Sequence, residues 1–108
     1  MNFCFLLAYK VTKTGSNSGK YYTSGQQWSF YQTESGTLEI SASAGYQIKT
    51  VKVTYASKNS GYFTVNGTKY TSATVLQVNG SSVSFVSGGT STNGQTNITA
   101  IEVVYAKV

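Results

Sequence analysis

Apolar and polar residues alternate along most of this chain with a period of two, the signature of strands that turn one face toward a core. Phe3, Phe5, Leu7, Tyr9 and Val11 alternate with Cys4, Leu6, Ala8 and Lys10, which predicts a first strand over 3–11. Further strands are predicted over 28–32, 37–41, 46–56, 62–65, 74–78, 82–86 and 97–106. Gly, Ser and Asn punctuate them, and no stretch has a helical period. Asn66-Gly67 and Asn79-Gly80 suit tight type I′ turns, whose two central residues need positive φ, so each predicts a hairpin. Eight or nine short strands joined this way predict an all-β, two-sheet antiparallel β-sandwich forming a single domain over 1–108.

Two of the strands echo each other. Ile48, Val51, Val53 and Tyr55 match Ile98, Ile101, Val103 and Tyr105 at equal spacing. The three-residue step between the first two members of each set breaks the period of two, as a β-bulge does. Both are expected to be long central strands. If they pair, Lys52 and Glu102 face each other on the opposite side.

Composition narrows the function more than the fold. Ser, Thr, Gly, Asn and Gln make up 54 of the 108 residues, yet 40% of the chain is hydrophobic and 14% aromatic. Disordered chains lack aromatic and β-branched residues, so this one folds. It contains no His, Asp or Arg, three Glu and one Cys. General acid–base and nucleophilic catalysis need a group titrating near neutrality or a base beside a nucleophile. A non-enzyme is therefore expected. Calcium asks for several carboxylates, and only Glu34 with the carbonyls near Ser35-Gly36 is available, so no metal and no cofactor are expected. One cysteine excludes an internal disulfide and a cysteine-based zinc site.

The net charge of +5 comes wholly from eight scattered lysines. Nucleic-acid readers cluster their charge and favour arginine, so no nucleic-acid partner is expected; the lysines read as solubility and edge protection. No segment has the ~20 apolar residues of a membrane span, so no membrane insertion is expected. The opening residues lack the basic start of a signal peptide, and any export signal is expected outside this chain.

The order of Lys20-Tyr-Tyr-Thr-Ser-Gly25, Trp28-Ser-Phe-Tyr31, Gly36-Thr-Leu-Glu-Ile-Ser41, Tyr46 to Tyr55 and Ile98 to Tyr105 resembles small jelly-roll-like β-sandwich modules in secreted and surface proteins of gut bacteria. The resemblance covers nearly all of residues 20–106 and rests on strand cores and turns. It implies a jelly-roll-like fold and a secreted or cell-surface location. Such modules often sit beside enzymes, adhesin repeats or wall anchors, and the resemblance carries over no catalytic residues.

Tyr21, Tyr22, Trp28, Phe30 and Tyr31 form the densest aromatic cluster. Aromatic faces stack on sugar rings, while neighbouring amides and hydroxyls bond the sugar hydroxyls. Gln26, Gln27, Gln32 and Asn59 are candidate polar partners, and Tyr62 or Phe63 a second aromatic site. Alternation puts Trp28, Phe30 and Gln32 on one face and Ser29 and Tyr31 on the other. The plainer reading fills the sandwich with Trp28 and Phe30 and leaves Tyr31 outside; Tyr21 and Tyr22 are the more exposed pair. The polar run from Ser87 to Asn97 reads as an adaptable loop or a plain connection. The expected ligand-binding set is Tyr21, Tyr22, Trp28, Tyr31, Gln32, Asn59 and Tyr62, and the expected partner a glycan or cell-surface polymer. The rival expectation is a structural subunit that self-assembles, as a homo-oligomer or filament, through sheet edges and the apolar N-terminal strand.

Overall fold

The computed structural model describes residues 7–24, 26–88 and 95–108. The first four residues of the predicted strand 3–11, and most of the predicted loop Ser87–Asn97, lie outside that set. Ten strands are described: β1 (Leu7–Thr12), β2 (Lys20–Tyr22), β3 (Gln27–Tyr31), β4 (Thr37–Ala42), β5 (Tyr46–Tyr55), β6 (Tyr62–Val65), β7 (Thr68–Lys69), β8 (Val75–Gly80), β9 (Ser82–Gly88) and β10 (Gln95–Lys107). The short β2 and β7 were not expected, being too brief to show a period. A single turn of 3-10 helix, Gln32–Glu34, follows β3.

The strands form two five-stranded antiparallel sheets, ordered β1-β4-β9-β6-β7 and β2-β3-β10-β5-β8. Strands β3 to β6 run out and β7 to β10 run back, pairing as β3·β10, β4·β9, β5·β8 and β6·β7. Alternate pairs fall in alternate sheets, so one long hairpin is rolled into two layers: a jelly-roll sandwich with β1 and β2 added as edges.

The echoed strands pair as neighbours. Val51 faces Val103, Val53 faces Ile101, Ile48 faces Tyr105 and Tyr55 faces Ile98. The echo is thus a local two-fold, centred where Lys52 meets Glu102, whose side chains pair at 2.7 Å. Bulges fall at Lys49 and Thr99, inside the three-residue steps that predicted them. Asn66-Gly67 closes the β6–β7 hairpin with φ of 51° and 80°. The second turn prediction needs correction. Strands β8 and β9 belong to different sheets, so Asn79-Gly80 leads a crossover, and only Asn79 takes a positive φ.

Inward-facing Phe30, Leu38, Ile40, Ile48, Val51, Val53, Phe63, Val83, Phe85 and Ile98 make the core, joined by Tyr70 after β7. Tyrosine hydroxyls close its polar gaps. Tyr70 accepts the Val53 N–H at 2.8 Å and donates to the Thr74 carbonyl. Tyr55 accepts the Phe63 N–H at 2.8 Å and donates to the Tyr70 carbonyl at 2.7 Å.

Candidate functional site

Strand β3 divides the aromatic cluster. Phe30 is buried between the sheets, and Trp28 shares its face but remains 40% exposed at the open side of the sandwich. Gln27, Ser29 and Tyr31 point to the outer face. Register then sets Tyr22 beside Gln27, Gln95 beside Tyr31 and Asn97 beside Ser29 on that same face. Together with Ser24 and Lys58, the residues Tyr22, Gln27, Tyr31, Gln95 and Asn97 line an open, polar concavity of about 600 Å3.

Its floor is a hydrogen-bonded array. The Gln95 amide donates to Ser29 Oγ at 3.1 Å and to the Tyr31 hydroxyl at 3.3 Å. Ser29 Oγ donates to Asn97 Oδ1 at 2.7 Å, and Asn97 Nδ2 donates to the Lys58 carbonyl at 2.8 Å. The Tyr22 and Tyr31 hydroxyls lie 3.5 Å apart. The Tyr31 hydroxyl is pushed up to about 12, first by its bond to Tyr22, then by burial, then by the neighbouring charges of Tyr22 and Glu34. It stays protonated at neutral pH and keeps a proton to donate.

The predicted site residues therefore do not form one surface. Tyr22 and Tyr31 meet on the outer face. Tyr21 and Trp28 meet on the inner one, ring centroids 4.8 Å apart. Trp28 borders a second, apolar cleft of about 520 Å3, lined in part by Tyr9, Val11, Phe30, Leu38 and Ile101. Asn59 stands behind the polar concavity: its Oδ1 accepts the Asn97 N–H at 2.8 Å and its Nδ2 donates to the Gly61 carbonyl. Gln32 has left the strand for the 3-10 turn, where its Oε1 is buried without a hydrogen-bond partner among the described residues, and it does not line the concavity. Tyr62 lies on the other sheet, with the Lys69 ammonium 4.7 Å from its ring centroid.

Sequence reasoning missed Ser29, Gln95, Asn97, Lys58 and Ser24 as site residues. Outward parity with Tyr31 marked Ser29; the others join through cross-strand register and loop position, which alternation within one strand does not encode. Asn97, although in an Asn-x-Thr sequence, is buried with both amide atoms bonded.

Glu34 is buried and committed elsewhere. Its carboxylate accepts the N–H groups of Asn17 at 3.0 Å and Ser18 at 2.6 Å. Burial raises its pKa, but the bonds from Asn17, Ser18 and Ser16 outweigh that and hold the carboxyl below its ordinary value. A Cβ on Gly15 would fall 1.9 Å from Glu34 Oε2, so glycine lets the loop close over the carboxylate. Among the described residues, no three His, Cys, Asp or Glu side chains cluster as metal ligands would. Compared with known proteins, the chain matches no family model, no curated sequence and no solved structure.

Proposed function

We propose that this chain is a non-catalytic extracellular binding module whose polar concavity takes a glycan from a cell-surface polymer. The observation that carries the reading is the array of Tyr22, Tyr31, Gln27, Gln95 and Asn97. It presents the phenols of Tyr22 and Tyr31 and the amides of Gln27 and Gln95 from adjacent strands, while the buried Asn97, its amide fully bonded, holds the floor in place with Ser29. Such fixed donors and acceptors match the closely spaced hydroxyls of a sugar, and the tyrosine rings add apolar contact. Catalysis finds no support here, since Glu34 is held by backbone amides and Glu102 by Lys52.

A glycan array followed by calorimetric titration tests the reading. A hit is expected to weaken roughly tenfold, about 1.4 kcal/mol, in Tyr22→Ala and in Gln27→Ala. Tyr62→Ala, on the other sheet, should leave it unchanged. Trp28 fluorescence should stay still, because Trp28 faces the apolar cleft. A hit that moves Trp28 and ignores Tyr22 would put the ligand in the cleft; silence across the array removes the glycan reading.

A further inference from the structure

The sandwich is open along one side. Among the described residues, β3 covers β10 only from Gln95 to Ile98, whereas β5 covers its other side as far as Lys107. Among the described residues no strand lies beside Thr99 to Lys107 on the side away from β5, so their backbone N–H and C=O groups form an open row there. Over this vacancy hang the inward side chains of β1. Tyr9, 55% exposed, and Val11 line the apolar cleft with Trp28 and Ile101.

Edges that face water usually carry lysine. Of the four outer strands, β1, β2 and β7 hold Lys10, Lys20 and Lys69, and β8 holds none. The open stretch of β10 instead exposes Val104, at 57%, and Tyr105. Its charges are Lys107 at the end and Glu102, already paired with Lys52. Unpaired backbone beside an apolar cleft matches an added strand, which bonds to the edge and sends alternate side chains inward.

We propose that the added strand is β10 of a second copy of this chain, paired antiparallel about a two-fold axis. The open stretch is centred on Val103, so full pairing sets Val103 against its own counterpart. Ile101 then meets Tyr105 of the second copy over the clefts, an aromatic–β-branched pair of the kind that stabilises sheets. Glu102 meets Val104 of the second copy on the outer face. In this register β3 of each copy lies past the end of the shared stretch and is not displaced. The contact is isologous, and the two five-stranded sheets become one continuous sheet.

Sedimentation velocity of the purified chain over a wide concentration range tests this, with charge placed at position 104. A reversible dimer is expected. Val104→Glu, facing Glu102 twice across the axis, should weaken it roughly tenfold. Val104→Lys at the same exposed position should keep or tighten it, and both variants should retain the circular dichroism of the parent. Val75→Glu, equally exposed on the opposite edge β8, should have no effect. A monomer at every concentration overturns the proposal, as does a dimer indifferent to the sign of the charge at 104 or dissociated by Val75→Glu. The glycan concavity lies at the other end of β10, so these outcomes are independent of the glycan titration.

Discussion

The two flanks of the sandwich are built from the same kinds of residue and end in opposite states. On the flank of β5, β6 and β7, Phe63, Phe85 and Tyr70 are buried in edge-on contact, with centroids 5.4 to 5.6 Å apart. The Tyr55 and Tyr70 hydroxyls there stitch strands together. On the flank of β1, β2 and β10, Tyr9, Tyr21 and Trp28 also turn inward, yet water reaches all three. The difference is strand coverage. Where a strand lies opposite, an inward aromatic becomes core; where β2 is three residues long and β3 stops short, the same inward aromatic becomes surface.

Cutting one aromatic from each flank tests that distinction most forcefully. Phe63→Ala empties a fully buried site and should cost about 3–5 kcal/mol in urea denaturation, a large part of a small domain's stability. Trp28→Ala removes a larger side chain but one that water already wets, and should cost roughly 1–2 kcal/mol. Equal losses would mean that the open flank is as tightly sealed as the closed one.

How much of this was legible follows from the same contrast. The longer strands and the bulges in β5 and β10 were readable because each is encoded within one stretch of chain, and the number of strands and their turns pointed to the sandwich. Phe30 and Tyr31 could be assigned to opposite faces by parity alone. The separation of Tyr21 from Tyr22 was implicit in parity too, but β2 is too short to announce itself as a strand. Trp28 shows the limit. Its parity said inward and the structure agrees, yet its exposure depends on where β3 and β10 stop pairing, which no local pattern states. Asn79-Gly80 failed for a related reason: a turn dipeptide specifies a reversal, not whether the next strand joins the same sheet.

A smaller change probes how the closed flank stays dry. Tyr70→Phe keeps the ring and its packing but leaves the Val53 N–H and the Thr74 carbonyl without their partner. Orphaning buried polar groups should cost about 1–3 kcal/mol. The matching change on the open flank, Tyr21→Phe, removes from an exposed ring a hydroxyl that bonds to none of the described residues, and should leave the denaturation midpoint where it was. If both midpoints stay put, the hydroxyl bridge of Tyr70 is incidental to the fold.

The open flank has its own fastening, which is polar and therefore sensitive to pH. Residues 13–19 carry the chain from β1 to β2, and Glu34 holds them by accepting the Asn17 and Ser18 amides. Ser18 in turn accepts the Tyr31 N–H at 2.8 Å through its hydroxyl. The folded-state pKa of Glu34 lies below its ordinary value of 4.5, so the folded state favours the charged form. The resulting stability is fully present above 4.5 and drains away as pH falls through the lowered folded value. Acid should therefore loosen the β1–β2 side first, read as a change in Trp28 fluorescence and a loss of amide-exchange protection at Asn17 and Ser18 relative to the intrinsic rate at each pH. Amides of β5 and β9 should keep their protection over the same range. Glu34→Gln should already show the loosened loop at neutral pH and lose the acid step, because a neutral amide cannot gain the proton. If the acid step persists in Glu34→Gln, another group controls the flank and the carboxylate is only a passenger in the loop.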